Sequence, residues 1–344
     1  MLEKLEPMAT GSITYCTTGI VMKRLQSDPL MKRVSHVILD EVHERQSSSD
    51  FAMAVARRLL RVRKDMKLIL MSATMKTEHL LAYFAEFDPE VLDIEGKLHE
   101  VKELYLEDVL TELDPYEMDL RGRFFERDFK GSVLPKIQTP LYSDNYHYKV
   151  VNQIMDGKTE DMNVALIGAL IKRITLDKPE GGILVFVNGE SPMWDLENEL
   201  YSLELMDKLE AHWLLSKYSS EIQMTVFDPP EAGKRKLVVA TNIAETSITI
   251  PDIVYVIDTG KVNVRHYETR LKAAGLPTEW VSKSSARQRK GRAGRKQAGI
   301  CYRLYTRARF EVFAEESTPE TKRARLEDLA LDIKRLKLGR EAPR

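Results

Sequence analysis

An α/β fold built from two parallel-sheet lobes is what this sequence predicts, and three observations carry that reading. Short β-branched or aliphatic runs alternate with helical segments in two separate stretches, about 11–98 and 160–310. Near-continuous apolar strands alternating with helices are the pattern of a parallel sheet covered on both faces. The runs open into polar residues, and in open α/β sheets ligands bind outside the carboxyl ends of strands. The length of 344 residues fits about two domains.

In the first stretch, SHVILD (35–40) and KLILMSAT (67–74) have strand length and end in polar residues. Between them, FAMAVARRLLRVRKD (51–65) repeats apolar residues three and four apart, as a helix requires. The second stretch opens with NVALIGALIKRI (163–174), which sets Val164, Ile167, Ile171 and Ile174 on one helical face. GGILVFVNG (181–189), KLVVATN (236–242) and DIVYVIDTG (252–260) then read as buried strands. Residues 99–159 are charged and aromatic without a period, and read as a connector or insertion. Near the end, Leu326, Leu329, Ile333 and Leu336 form a helical stripe that stops at Gly339, the expected start of a C-terminal helical domain.

Apolar residues make up 43% of the chain and charged residues 31%, enough to bury real cores. Lys and Arg total 52 against 53 Asp and Glu, so any nucleic-acid contact must come from local patches. Two cysteines, Cys16 and Cys301, are too few for a disulfide framework or a Cys-rich zinc site and fit a reducing compartment. No apolar run approaches the 18 residues of a membrane span, and MLEKLEPMATGS has no signal-peptide core or Arg-rich transit pattern. The expectation is a soluble intracellular protein of cytoplasm or nucleus, with no membrane partner.

Two sites carry chemistry. Asp40-Glu41-Val42-His43 follows a strand directly. Adjacent acids there suit phosphoryl transfer, one holding Mg²⁺ through its waters and the next orienting the attacking water. An acidic turn that merely caps a helix is the alternative for a bare acidic pair. Ser72-Ala73-Thr74 ends the next strand and is a weak signal alone. The stronger signal is Gln288-Arg289-Lys290-Gly291-Arg292-Ala293-Gly294-Arg295, inside a stretch from Arg287 to Lys296 with six basic residues in ten. Glycine lets the backbone approach a partner closely, and arginine forks match phosphate oxygens.

Read in order, these segments resemble a superfamily 2 helicase of the DEAH-box type, closest to the RNA helicase A-like branch. Thr17-Thr18-Gly19, DEVH at 40–43, SAT at 72–74, LVFVNG at 184–189, ATNIAETSITIPD at 240–252 and QRKGRAGR at 288–295 match successive helicase motifs in order and spacing. The resemblance implies two RecA-like lobes, residues 1–98 and 160–310, with residues 311–344 beginning a winged-helix region. It implies ATP and Mg²⁺ as cofactors and RNA, rather than DNA, as the partner. Asp40, with Glu41 beside it, would hold Mg²⁺, Glu41 would activate water, and His43 would link the nucleotide to the second lobe. Gln288 would face the γ-phosphate, with Arg292 and Arg295 as arginine fingers. Ser72 and Thr74 would couple ATP state to lobe movement. Thr17, Gly19, Asn188, Thr241 and Thr246 would touch the RNA backbone, and residues 264–283 would form a strand-separating hairpin.

The family's Gly-rich phosphate loop, ending in Gly-Lys-Thr, belongs well before the acidic motif, yet none of the 39 residues ahead of Asp40 contains it. Gly157-Lys158-Thr159 is a decoy, because the glycine required five positions before Gly157 is Asn152. Where the family often has Leu-His-Ser, this chain reads Leu214-Leu215-Ser216. The first lobe is therefore expected to be incomplete. The function expected is an ATP-dependent RNA helicase in truncated form, the alternative being a catalytically inactive RNA- or protein-binding module.

Overall fold

The computed structural model describes residues 11–73, 77–94, 96, 99–113, 146–155, 162–246, 248–268 and 273–336. Its first strands, in chain order, are β1 (His36–Leu39), β2 (Lys67–Leu70), β3 (Val101–Leu104), β4 (Gly182–Phe186), β5 (Leu209–Leu214) and β6 (Arg235–Ala240). They are followed by β7 (Ile253–Asp258), β8 (Lys261–Asn263), β9 (His266–Glu268), β10 (Ala273–Gly275), β11 (Thr278–Trp280) and β12 (Gly299–Arg303). The chain divides into two compact units, one of residues 1–93, 265–275 and 318–344, the other of residues 94–264 and 276–317.

In the first unit, β1 and β2 pair in parallel, His36 opposite Lys67 through Leu39 opposite Leu70. Helix α1 (Thr18–Ser27) and helix α2 (Ser47–Val62) bury Met22, Leu25, Phe51, Val55 and Leu59 in one cluster with Leu39 and Met66. Spacings of three and four place those side chains on one stripe of α2, which is why the segment is helical in this setting. Arg63, just past α2, donates to the carbonyls of Leu30, Met31 and Val34 at 2.8, 2.7 and 3.1 Å and so pins the loop before β1. Ile38 and Ile69 stand opposite one another in the register and are both exposed.

The final helix, Glu327–Arg335, packs Leu329 and Ile333, with Leu336 just beyond it, against the cluster that holds α2. The sequence reading gives this stripe to a further domain, within a winged-helix region spanning 311–344. It instead covers the first unit's own apolar surface, packing its apolar stripe against the cluster that holds α2.

The second unit is built on a six-stranded parallel sheet in the order β3-β12-β7-β4-β6-β5. β4 and β7 lie inside it and are buried at every position, as continuous apolar runs predict. The expected connector, 99–159, is corrected here in part: Val101–Leu104 pair in parallel with Gly299–Tyr302 at the sheet edge. Helix α3 (Glu78–Phe84) belongs to the first unit, whereas helix α4 (Leu106–Glu112) buries Leu106, Val109 and Leu110 in the core of the second. A fragment starting at residue 160 would open that core.

Glu107 on α4 is 5% exposed, and burial pushes its carboxyl up to about 7 from 4.5. A raised acid gives stability that is full below the unfolded value and lost as pH climbs towards the folded one. Glu107→Gln is expected to stabilise the second unit by about 3 kcal/mol at pH 8 and by almost nothing near pH 4. Urea unfolding at the two pH values measures this, and an equal gain at both would contradict it.

Candidate nucleotide and nucleic-acid site

The acidic motif sits where β1 ends. Asp40 is exposed, and its Oδ1 accepts the N–H of Glu41 at 2.8 Å. Glu41 adopts φ +52° and Arg45 φ +53°, so a tight turn, with a 3₁₀ segment at Val42–Glu44, is held between two left-handed residues. Such a backbone costs a non-glycine residue about 1–3 kcal/mol and persists only where its surroundings fix it. Here the fixing comes from β2. Met71 N–H donates to Leu39 O at 2.8 Å, and Val42 N–H donates to Met71 O at 3.1 Å. His43 Nδ1 accepts the N–H of Ala73 at 3.3 Å and lies 3.4 Å from Glu41 Oε2. Residues 40–43 are thus hydrogen-bonded to the end of β2 and to Ala73; Thr74 lies outside the described residues. Thr17 and Gly19, at the start of α1, are exposed.

In the second unit, two of the sequence's motif stretches are laced together. The helix Lys283–Lys290 is capped by Ser282, whose Oγ accepts Ser285 N–H at 3.2 Å. Ser285 donates to Glu245, Arg292 donates to Ile248 O at 3.1 Å, and Arg295 donates to Thr249. Arg292 is buried by this packing and Arg295 is partly exposed. Gly294 makes the close approach: a Cβ there would stand 2.7 Å from His99 O.

Asn188, after β4, donates to Asn263 Oδ1 at 3.1 Å and Thr278 Oγ1 at 3.0 Å. Thr241 precedes the short helix Ile243–Thr246 that follows β6, Thr246 is its last residue, and both are partly exposed. Leu215, at the position of the histidine in Leu-His-Ser, is buried. Segment 264–283 contains the antiparallel pair β9 with β10, which agrees with the hairpin pairing expected there, while β11 pairs antiparallel with β8, just ahead of the segment. The decoy Gly157-Lys158-Thr159 lies outside the described residues.

Beneath the arginines runs a buried ionic network that the sequence reading missed. Arg289, 0% exposed, reaches Glu245 at 3.1 Å and Asp258 at 2.9 Å and lies 4.8 Å from the Phe186 ring centre. Arg303, also 0% exposed, joins Asp258 at 3.3 Å to Glu103 at 2.7 Å, and Lys290 holds Glu103 from the other side at 2.9 Å. Burial alone would raise the Asp258 carboxyl, but the two guanidiniums hold it below the usual carboxylate range. The available signal was spacing: Ala286, Arg289 and Ala293 recur every three or four residues, so Arg289 shares the inward face with two alanines.

Among the described residues no group of three or more His, Cys, Asp or Glu is placed to hold a metal by itself. A cation resting on one carboxylate, waters and phosphate oxygens needs no such cage, and the exposed Asp40 fits that role. Cys16 and Cys301 are free, and burial pushes the Cys301 thiol up to about 12.

Residues 1–81 match the DEAD/DEAH box helicase family, and residues 165–297 match the helicase conserved C-terminal domain. The chain belongs to the DExH-box helicases. It is 40% identical over 360 residues to the human ATP-dependent DNA/RNA helicase DHX36, covering 98% of this chain and 35% of that protein. It is 38% identical over 347 residues to DExH-box ATP-dependent RNA helicase DExH1 of Arabidopsis thaliana, with 95% of this chain and 34% of that one covered. The structure of the Escherichia coli DEAH/RHA helicase HrpB superposes with a TM-score of 0.69 at 28% identity, over 92% of this chain and 34% of that one. This helicase chain therefore spans about a third of the length of the relatives it matches. Among the described residues, no helix is long and apolar enough to cross a membrane.

Proposed function

We propose that this chain carries the hydrolytic and strand-contacting residues of an ATP-dependent RNA helicase, which couples NTP hydrolysis to movement on or unwinding of RNA. The observation that carries the reading is the lacing of Arg292 and Arg295 onto residues 248–249. It presents two guanidiniums whose positions are set before any phosphate arrives, and such preorganisation is the main source of transition-state stabilisation for developing charge. Glu41 orients and deprotonates the attacking water, and Asp40 beside it would hold Mg²⁺. A bound Mg²⁺ supplies neutralisation of phosphate charge. Gln288 faces the γ-phosphate, and His43, hydrogen-bonded to the strand end at Ala73, passes its state to Ser72 and Thr74.

Asn188, Thr241, Thr246, Thr17 and Gly19 contact the RNA sugar-phosphate backbone without reading sequence. An intracellular place of action, in cytoplasm or nucleus, is part of the same proposal. Fluorescence anisotropy with an oligouridylate and its deoxy counterpart, over a salt series, tests the RNA assignment. The expected result is weak binding of shallow salt dependence, tighter for RNA, and reduced about tenfold by Asn188→Ala with Thr241→Ala. Equal binding of the two probes, or no loss in the double variant, would overturn it.

A further inference from the structure

Helix α2 begins three residues after the DEVH turn, and its own sequence leaves it uncapped. Gln46 stands at the N-cap position without a side-chain cap hydrogen bond. The first turn of a helix has backbone N–H groups with no partner inside the helix, which side chains or water must satisfy. The partner here comes from 273 residues away: Glu320 Oε2 accepts the N–H of Ser47 at 2.8 Å. In the same contact, Glu320 N–H donates to Arg45 O at 3.0 Å, and Arg45 is the left-handed residue that closes the acidic turn. A carboxylate at that end of a helix also meets the positive end of the helix dipole.

The residues after Glu320 reach in another direction. Arg323 O accepts the N–H of Tyr267 on β9 at 2.8 Å, and the Arg323 guanidinium donates to Arg265 O at 3.1 Å. Arg325 lies 5.2 Å from the centre of the Tyr267 ring. Pro319 leads into the short 3₁₀ turn Glu320–Lys322, which keeps the two sets of contacts at a fixed spacing. The helix Glu327–Arg335 then anchors the segment on the α2 cluster.

We propose that residues 318–325 form a strut between the β9–β10 hairpin and the acidic turn, with Glu320 as a positioning residue for Glu41. Displacement of the hairpin is carried by Arg323 and Glu320 to Arg45 and the first turn of α2, and so to the carboxylates of the DEVH motif. This rests on the helicase reading for the role of Glu41 and of the hairpin, but not for the strut itself.

Hydrogen exchange on the full chain tests it without any need for ATP turnover. Glu320→Ala is expected to speed exchange across 41–50 about tenfold, while Glu320→Gln, which keeps an acceptor oxygen, stays within about threefold of the parent. Arg323→Ala should speed exchange across 264–275 and also across 41–50, although the Arg323 side chain donates to Thr318 O and Arg265 O and to no atom of the latter stretch. Peptides from β4 should not change in any variant. An Arg323→Ala effect confined to 264–275 would overturn the strut, as would an unmoved 41–50 in Glu320→Ala. If Glu320→Ala does not fold, Arg323→Ala and Glu320→Gln make the same test. If the strut responds as expected but Glu41→Gln leaves hydrolysis intact in an active form, the helicase reading fails and the strut stands.

Discussion

Replacing Arg289 with Ala is expected to destabilise the second unit by about 3–5 kcal/mol, the cost of leaving buried charge without its partner. Asp258 keeps Arg303, the N–H of Gly260 and the hydroxyl of Tyr305, but Glu245 and one Asp258 oxygen lose their guanidinium. Arg289→Lys should recover only part of the loss, since a single ammonium cannot serve two carboxylates in the geometry of a fork. The pH dependence has a definite sign. With its carboxyl held low in the folded state, Asp258 contributes stability that is present above the unfolded carboxylate range, near pH 4, and lost as pH falls through the folded value. Removing Arg289 lets burial raise that carboxyl, so the variant's acid unfolding should begin at higher pH than the parent's. Thermal unfolding of both proteins from pH 7 downwards measures the shift, and superimposable acid limbs would contradict the account.

The second large effect concerns turnover. The 344 residues hold no Gly-x-x-x-x-Gly-Lys-Thr ahead of Asp40, so the chain alone is expected to hydrolyse ATP very slowly. Grafting a strand, Gly-rich loop and helix ending in Gly-Lys-Thr ahead of residue 1 is expected to permit hydrolysis. In that background Glu41→Gln should reduce kcat about 10²–10⁴-fold, the usual contribution of a positioned general base. Arg292→Ala should reduce it about 10³–10⁵-fold, the range for arginine fingers. Arg292 also fastens the turn to Ile248 O, so Arg292→Lys is the sharper probe of charge without the fork. Hydrolysis indifferent to both positions would remove them from the chemistry.

Much of the second unit was legible in the sequence because its central strands carry unbroken apolar runs. ILVF, LVVA and IVYVID fall within or next to the strands they predict, with β4, β6 and β7 starting at residues 182, 235 and 253. The edge strands were not legible. β3, VKEL, carries two adjacent charges at its middle positions, and β5, LEAHWL, is only half-buried along its middle, so neither shows the pattern of a two-sided strand. Partnership over long separation was equally hidden. Nothing near Glu320 or Ser47 announces their contact, since a cap supplied from 273 residues away leaves no local motif. Arg289 was hidden differently: in a row of basic residues its neighbours suggest solvent or phosphate, and only the three- and four-residue spacing of Ala286 and Ala293 turns it inward.

The most direct measurement of the central claim is the RNA dependence of ATP hydrolysis by the grafted chain, read with and without an oligouridylate. The account predicts turnover that rises when RNA is added, with the rise lost in Asn188→Ala combined with Thr241→Ala while the basal rate persists. A soluble, folded grafted chain that hydrolyses ATP at one rate whether or not RNA is present would contradict it.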